Sequence, residues 1–302
     1  MKTLVVITGP TAVGKTELSL RVAKLLSSPV ISADSRQMFR QMSIGTAAPT
    51  PEELEQAQHL FVHNLDLGDY YSAAMYEEEV MKTLNLLFQK QDYALMSGGS
   101  MMYIDAVCNG IDDMPTVDDE VRSMMWQRLN DEGPEAMLEE LKVVDPEYYI
   151  IADHKNTKRI LHALEVFYMT GRPFSAFRTG QKKQRPFRIV KIGLNRERDA
   201  LFERINRRVD RMMEQGLMEE VRSLYPYRHL NSLNTVGYKE LFNVIDGNWT
   251  LPMAVERIKK NTRVYAKKQL TWMKKDQDIQ WIPLDNITLD EALEKIKLLC
   301  SD

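Results

Sequence analysis

The sequence has few cysteines and no long apolar segment. Its 302 residues include two cysteines, Cys108 and Cys300, and five histidines without metal-ligand spacing, which excludes a disulfide framework and a structural zinc site. No apolar run reaches the roughly 18 residues that a membrane helix needs. The chain passes from Met1-Lys2 directly into an apolar strand, so we expect no signal peptide and a cytoplasmic location. With 44% hydrophobic residues, it can form a packed core in one large or two modest domains.

Charge is nearly balanced overall but unevenly distributed. The net charge is −3, with 21 basic against 17 acidic residues in 186–302 and an excess of acids in 1–100 (11 against 8) and in 101–185 (15 against 11). The segment Arg257–Lys275 holds eight cations and no acid, together with Tyr265 and Trp272. Such a stripe on one helix indicates a polyanionic partner larger than a nucleotide, or else a solvated helix face, the commoner fate of a charge run.

One motif carries the most information about chemistry. Residues 9–16 read Gly-Pro-Thr-Ala-Val-Gly-Lys-Thr, a complete phosphate loop between the apolar run Leu4–Ile7 and an amphipathic helix predicted over Lys15–Leu26. Inward N–H groups, the helix N-terminus and the Lys15 ammonium would bind a diphosphate or triphosphate, and the Thr16 hydroxyl could ligate Mg²⁺. A glycine turn that merely ends a strand is the alternative. The expected phosphate contacts in the loop are Gly9, Thr11, Ala12, Val13, Gly14, Lys15 and Thr16.

The order of predicted elements indicates an α/β core with a helical insertion. Strands and helices alternate in the N-terminal part, which is typical of a parallel sheet. The expected elements there are strands Pro29–Ser32, Leu60–Leu65 and Tyr93–Ser97 and a helix over Ser72–Gln89. From Asp118 to Arg178 only helical periodicity is found, over Val121–Leu129, Pro134–Val143 and Asn156–Thr170.

The C-terminal part returns to the α/β pattern. Its expected elements are a strand Arg188–Leu194, a helix Glu197–Glu214, the basic helix beyond Pro252, a strand Ile279–Ile282 and a terminal helix opened by a capping box at Thr288–Glu291. The predicted fold is a P-loop NTPase-like parallel sheet core formed by residues 1–115 and 186–302, with an inserted all-helical domain over 116–185.

Asp34 follows the second predicted strand, at the sheet edge where ligands of open α/β folds bind. It could accept a hydrogen bond from an attacking nucleophile, or serve as an ordinary turn residue. The strand that ends at Ser97 lacks the acid that usually organises Mg²⁺ in kinases and switches. The residues alone leave three classes of protein open: a small-molecule kinase, a transferase that releases diphosphate, and a nucleotide-switched RNA-binding module. The last of these would give Asp34 no function.

A wider set of motifs narrows the choice among these three classes of protein. They run from residue 9 to about 275: the phosphate loop, Ser-Ala-Asp-Ser-Arg-Gln at 32–37, Met-Ser-Ile-Gly-Thr-Ala-Ala-Pro at 42–49, Gly-Gly-Ser-Met-Met-Tyr at 98–103, Arg159 with Ala-Leu-Glu-Val at 163–166, Val-Gly-Tyr-Lys at 236–239 and Tyr-Ala-Lys-Lys-Gln-Leu-Thr-Trp at 265–272. In this order they resemble the tRNA dimethylallyltransferase family, also called tRNA isopentenyltransferases. The resemblance implies transfer of a dimethylallyl group from dimethylallyl diphosphate to the N6 amine of the adenosine 3′-adjacent to the tRNA anticodon. It also implies Mg²⁺ as cofactor and release of diphosphate.

The resemblance also implies roles for individual residues. Asp34, Thr16 and Arg208 are the expected catalytic residues: Asp34 accepts a hydrogen bond or proton from N6, Thr16 ligates Mg²⁺, and Arg208 clamps the diphosphate unless it is only a solvated arginine beside Arg207. The expected tRNA contacts are Asp34, Ser35, Arg36, Gln37, Ser100, Arg122, Lys158, Arg159, His162, Gly237, Tyr238, Lys239, Lys267 and Lys268. Ser100, Met38-Phe39 and His162 depart from the family pattern. We expect a monomer without a membrane partner.

Overall fold

The chain folds around a sheet of six parallel strands. The structure is a computed structural model that describes residues 1–301. The strands are β1 Thr3–Thr8, β2 Val30–Ala33, β3 His59–Leu60, β4 Tyr93–Gly98, β5 Arg188–Asn195 and β6 Ile279–Pro283. They lie in the order β3-β2-β4-β1-β5-β6, and every pair is parallel. The predicted parallel α/β core is therefore confirmed.

β1 occupies the middle of the sheet, between β4 and β5. Its last residue, Thr8, pairs with Gly98 of β4 and with Gly193 of β5, and Ala33 at the end of β2 also pairs with Gly98. The carboxyl ends of β1, β2 and β4 therefore meet at one edge. The phosphate loop and the segment that begins at Asp34 both start from this edge, as the topology of open α/β sheets requires of a ligand site.

Helices cover both faces of the sheet. The helices are α1 Lys15–Leu26, α2 Pro51–Gln56, α3 Ala73–Phe88, α4 Met101–Asn109, α5 Asp119–Val144, α6 Pro146–Ile151, α7 Thr157–Thr170, α8 Arg198–Glu214, α9 Leu217–Leu224, α10 Tyr238–Ile245, α11 Leu251–Met273 and α12 Leu289–Ser301. Side chains of a buried strand alternate between two cores. Val5 and Ile7 of β1 pack with α1, α8 and α12, whereas Leu4 and Val6 pack with α3 and α4.

A third hydrophobic cluster joins α8, α9, α10 and α11. Val209, Leu217 and Leu241 are buried in it, and Phe39 and Met42 from the segment after β2 pack against them. This cluster fixes the segment around residues 39–47 against α9 and α10.

Residues 110–183 form a compact unit of their own, and the rest of the described chain forms the other. The helical unit contains α5, α6 and α7 around buried Met125, Leu141, Ile160 and Leu164. Gly133 interrupts α5 with a left-handed φ of 86°, directly before Pro134, which confirms a break between the helices predicted over Val121–Leu129 and Pro134–Val143. The sequence analysis placed the insertion at 116–185, whereas the unit in the structure begins at Gly110 and ends at Lys183.

Most predicted elements are found within two residues of their expected bounds, and one is wrong. The Ser72 hydroxyl caps α3, and Thr288 and Glu291 form the predicted capping box. The strand expected over Leu60–Leu65 is limited to His59–Leu60. Phe61 and His63 adopt positive φ values of 63° and 51°, a left-handed conformation that ends a strand. No helix within residues 1–301 is long and apolar enough to cross a membrane.

Candidate active site

A close backbone approach and a positive φ angle determine the conformation of the phosphate loop. A Cβ at Gly9 would lie 2.8 Å from the Leu194 carbonyl oxygen of β5, and Gly14, the N-cap of α1, has a φ of 116°. Both positions therefore require glycine. The Lys15 ammonium donates to the carbonyl oxygens of Gly9 and Pro10, each at 2.9 Å. Thr16 is exposed, and its hydroxyl makes no hydrogen bond within residues 1–301, so it is available to a ligand.

Two arginines that the sequence analysis did not select hold the outer side of this loop. Arg204 of α8 donates from Nε to the Ala12 carbonyl oxygen, and Arg196 donates from Nε to the Val13 carbonyl oxygen, both at 2.8 Å. Arg196 also pairs with Asp285 at 2.9 Å. Two carbonyls of the loop are therefore bound from outside, while its Val13 N–H donates to the Pro10 carbonyl oxygen at 3.3 Å. A side chain that reaches the loop from far along the sequence gives no local signal.

Lys15, Arg208 and Asp34 interact electrostatically. Burial and, to a lesser extent, the positive charge of Arg208 lower the pKa of Lys15 to about 8, against the opposing effect of Asp34. Burial also lowers the pKa of Arg208, again against the effect of Asp34. Two partly desolvated cations beside one carboxylate favour the binding of an anion. The alternative of a freely solvated Arg208 is not supported, because its side chain is partly buried and donates to the Thr46 carbonyl oxygen at 3.4 Å.

The Asp34 turn is held by its own side chain and by the end of β4. Asp34 Oδ1 accepts from the Arg36 N–H at 3.0 Å, and the Ser100 hydroxyl accepts from the Ser35 N–H at 2.9 Å. The turn role considered for Asp34 is therefore present. It uses only Oδ1, and Oδ2 makes no hydrogen bond to any residue from 1 to 301. Asp34 can stabilise the turn and still accept from a ligand.

The next two residues are already engaged by protein groups. The Arg36 guanidinium donates to the carbonyl oxygens of Asn231 and Ser232 at 3.1 and 2.9 Å. The Gln37 amide donates to the carbonyl oxygens of Thr46 and Ala47 at 3.3 and 2.9 Å and accepts from the Ser32 hydroxyl at 3.3 Å. These contacts fix the orientation of both side chains at the edge of the sheet.

Gln269 of α11 is a further residue that the sequence analysis missed. Its side chain is 2% exposed. Its Oε1 accepts from the Thr11 N–H at 2.9 Å, and its Nε2 donates to the Gly99 carbonyl oxygen at 2.8 Å. One amide therefore bridges the phosphate loop and the segment after β4. The only signal in the sequence was a glutamine within the basic stripe, directly after Lys267 and Lys268.

The remaining predicted RNA contacts of the core differ in accessibility. Tyr238 is fully buried, and its hydroxyl donates to Glu220 at 2.6 Å, so its ring supports the fold and does not face solvent. Gly237 is also buried, and its N–H donates to Glu240 at 2.8 Å. Lys239 is exposed. Any contact between this segment and RNA therefore falls on Lys239.

In the helical unit, the predicted contacts lie mainly at the start of α7. Lys158 and Arg159 are exposed and make no ion pair within the described residues 1–301, where Asn156 caps the helix. His162 Nδ1 lies 3.2 Å from the buried Glu165 carboxylate. Arg122 pairs with Asp119 at 3.3 Å. The first turn of α7 thus combines two accessible cations with free helix N–H groups, an arrangement suited to phosphate.

The basic helix α11 does not present all its cations in the same way. Lys259 is 15% exposed and pairs with Asp210 at 2.7 Å. Lys267 lies 5.4 Å from the Phe202 ring centroid. Lys260 and Lys268 are exposed and form no ion pair in the part of the chain that the structure describes. The helix therefore contains lysines that contact other side chains and lysines that are accessible to a phosphate.

The fold and this edge of the sheet define a P-loop-type α/β protein with a phosphate-loop motif beside an aspartate turn. A family model described as IPP transferase matches residues 37–276. The chain belongs to the IPP transferase family.

Relatives of known name agree with this assignment over nearly the whole chain. It is 56% identical over 298 residues to tRNA dimethylallyltransferase 1 of Bacteroides thetaiotaomicron, which covers 99% of this chain and 96% of the relative. It is 48% identical over 282 residues to tRNA dimethylallyltransferase of Christiangramia forsetii, covering 93% of each.

Solved structures agree as well. The tRNA isopentenylpyrophosphate transferase of Bacillus halodurans is 34% identical with a TM-score of 0.74, covering 100% of this chain and 96% of that one. A eukaryotic dimethylallyltransferase acting on tRNA is 25% identical with a TM-score of 0.81, covering 94% of this chain and 74% of that one.

Proposed function

We propose that this protein is a tRNA prenyltransferase. It transfers a dimethylallyl group from dimethylallyl diphosphate to the N6 amine of the adenosine 3′-adjacent to the anticodon and releases diphosphate. The observation that carries this proposal is the position of Asp34: it directly follows β2 at the sheet edge from which the phosphate loop also starts, and its carboxylate interacts electrostatically with Lys15 and Arg208. A group that accepts from a nucleophile thus lies beside a site for the leaving group. The family and its named relatives support the same reaction.

In the proposed reaction a weak nucleophile displaces a good leaving group. N6 attacks the allylic carbon, the bond from that carbon to the diphosphate oxygen breaks, and the N6 proton passes toward Asp34. Lys15, Arg208 and the N-terminus of α1 neutralise the charge on the departing diphosphate. Because adenine amines are poor nucleophiles, we expect most of the rate acceleration to come from positioning and from this charge neutralisation.

We propose Mg²⁺ as the cofactor, which the Thr16 hydroxyl would help to hold. Mg²⁺ prefers oxygen ligands and usually keeps several waters, so it needs few protein groups. Within residues 1–301 no cluster of three or more His, Cys, Asp or Glu side chains could hold a metal. The free Thr16 hydroxyl suits a metal that arrives with its diphosphate. Its role when bound is to neutralise charge on the leaving group.

We also propose that tRNA is held by two sets of groups. Cations of α11 and of the α7 N-terminus bind phosphates and fix the register of the anticodon arm, while the Asp34 turn reads a base that has left its stack. Ser35, Gln37 and Ser100 lie at the sheet edge, which supports this assignment. The tRNA substrate supports a cytoplasmic location, which we also propose, and the monomeric state stays a prediction.

One assay tests the reaction directly. The protein is incubated with Mg²⁺, dimethylallyl diphosphate and an anticodon stem-loop RNA, and the RNA mass is measured. We expect the addition of one five-carbon unit, and loss of that addition when the target adenosine is replaced by guanosine. A parallel reaction with ATP and no dimethylallyl diphosphate should leave the RNA unchanged. Hydrolysis of ATP with phosphorylation of an acceptor would contradict the proposal and favour a kinase.

A further inference from the structure

The Glu220 carboxylate is enclosed by four hydrogen-bond donors. Its Oε2 accepts from the N–H groups of Ser43 and Ile44 at 3.0 and 2.7 Å, and its Oε1 accepts from the Gly45 N–H at 3.0 Å and the Tyr238 hydroxyl at 2.6 Å. Three successive backbone N–H groups around one anion form a nest, and hydrogen bonds to a charged acceptor are the strong ones. One side chain of α9 therefore determines the backbone course of the loop that begins at Ser43.

Tyr238 closes this nest from the other side. Its ring lies so close to Gly45 that a Cβ there would be 2.5 Å from Tyr238 Cε2. Burial and the Glu220 charge raise the pKa of Tyr238 far above its usual value, so the hydroxyl stays protonated and donates. Glycine at 45 allows this close approach, which explains one residue of the 42–49 motif that the proposed function leaves without a role.

The loop held by Glu220 in turn holds two residues of the site. The Thr46 carbonyl oxygen accepts from both the Gln37 amide and the Arg208 guanidinium, and the Ala47 carbonyl oxygen accepts again from Gln37. Gln37 belongs to the turn proposed to read the base, and Arg208 to the proposed clamp on the diphosphate. The two halves of the site therefore share one loop.

We propose that Glu220 is a positioning residue for the transfer reaction: its carboxylate sets the 43–47 loop so that Gln37 and Arg208 are held in their working orientations. The proposal rests on the proposed function for the roles of Gln37 and Arg208. It predicts that loss of this one carboxylate, which touches neither proposed substrate site, impairs the use of both substrates together. Misplacing groups that orient reactants can cost about 100-fold in rate.

The test is the removal of the carboxylate and its replacement from solution. Glu220→Ala should lower kcat/KM for tRNA and for dimethylallyl diphosphate by about 10- to 100-fold and weaken the binding of inorganic diphosphate in calorimetry. Sodium formate, a carboxylate small enough for the vacated nest, should restore activity and diphosphate binding at least threefold. Formamide and sodium chloride at the same concentration should not. Rescue by an anion of this shape is not expected from a role limited to packing.

Glu219→Ala is the matched control, because Glu219 lies in the same turn of α9, is exposed and pairs with Arg222. It should stay within threefold of wild type and gain nothing from formate. Tyr238→Phe, which keeps the ring over Gly45 and removes one donor, should fall between wild type and Glu220→Ala.

Two results would overturn the proposal: Glu220→Ala within threefold of wild type for both substrates, or rescue by formamide equal to rescue by formate. If Glu220→Ala does not fold, Glu220→Gln carries the test, because its amide would set a donor against the backbone N–H groups at unchanged volume. Activity of a folded Glu220→Gln within threefold of wild type would likewise overturn the proposal. If wild type transfers no dimethylallyl group, the proposed function fails, while diphosphate binding and its rescue by formate still test the role of Glu220.

Discussion

One carboxylate oxygen of Asp34 stabilises the local turn, and the other is left for the proposed chemistry. Oδ1 accepts from the Arg36 N–H, whereas Oδ2 makes no hydrogen bond within residues 1–301. A substitution that removes both oxygens therefore perturbs the turn as well as the chemistry. Asparagine keeps an acceptor for the Arg36 N–H and removes the charge, so it separates the two contributions.

We expect Asp34→Asn to lower the single-turnover rate of transfer by roughly 10²- to 10⁴-fold, the range for a positioned acid–base group, with tRNA affinity nearly unchanged. Asp34→Ala should lose at least as much. The rate is measured by rapid quench with saturating enzyme, and affinity by filter binding. An Asp34→Asn rate within threefold of wild type would show that Asp34 acts only in the turn.

Gln269 shows the limit of sequence analysis for single residues. The conformations of the phosphate loop and of the Asp34 turn were predictable because they depend on neighbours in the chain. Gln269 bridges Thr11 and Gly99, which lie 258 and 170 residues away, and Glu220 binds a loop 175 to 177 residues away. Such partners are set by tertiary packing, so a local pattern contains no sign of them.

Substitution of Gln269 should affect the diphosphate site and spare RNA binding. Gln269→Met leaves the Thr11 N–H and the Gly99 carbonyl without their partner, and unsatisfied buried groups cost about 1–3 kcal/mol each. We expect a lower urea midpoint and a KM for dimethylallyl diphosphate raised about tenfold, with the KM for tRNA within threefold. Gln269→Glu keeps the acceptor for Thr11 but sets a buried carboxylate oxygen against the Gly99 carbonyl oxygen. It should therefore lose at least as much stability and show a comparable KM increase, because it adds negative charge near the loop. A KM change confined to tRNA would contradict this role.

At the scale of elements, periodicity predicted long helices and buried strands well and short edge elements poorly. The strands on either side of β1 are largely apolar, and their bounds were found almost as expected. The edge strand β3 has only two residues, because Phe61 and His63 turn the chain where apolar residues continue. Positive φ at a non-glycine residue is imposed by surrounding contacts, which periodicity does not contain.

The lysines of helix α11 fall into two groups: those that are accessible and those that contact other side chains. Lys260 and Lys268 are accessible without an ion pair in residues 1–301, whereas Lys259 is committed to Asp210 and Lys267 lies over Phe202. We expect Lys260→Gln and Lys268→Gln each to weaken tRNA binding and to reduce the slope of log affinity against log salt by up to about one.

Lys259→Gln is the control on the same helix and should leave the salt slope unchanged. Binding of inorganic diphosphate should be equal in all three variants. Unchanged slopes for both Lys260→Gln and Lys268→Gln would mean that α11 is a solvated face, and docking would then depend on Lys158 and Arg159.

At the scale of the whole molecule, the helical unit is built to be separable. It has its own core, and its two ends meet: a Cβ at Gly110 would lie 2.5 Å from Lys183 Cγ, and Asp112 accepts from the N–H groups of Thr179 and Gly180. An insertion whose ends are adjacent can be exchanged for a short loop with little change to the chain on either side.

Replacing residues 111–182 by a four-residue Gly-Ser linker should therefore leave the sheet core folded. We expect cooperative thermal unfolding and an affinity for inorganic diphosphate within threefold of the full chain, because the phosphate loop and Gln269 lie outside the unit. Affinity for the anticodon stem-loop should fall at least tenfold with the loss of Lys158 and Arg159. Loss of diphosphate binding in a folded variant would show that the helical unit contributes to that site.

The ribosome makes the two neighbours of the central strand β1 at different times. It makes β4 before the helical unit and β5 after it. At 5–20 residues per second, translation of the 74 residues from 110 to 183 takes roughly 4 to 15 s, and for that time the nascent sheet ends at β1 with an unpaired edge. Such an edge can pair with another chain. The ribosome-bound protein is thus most exposed to aggregation while its helical unit emerges, and Gln269 completes the phosphate loop only near the end of translation.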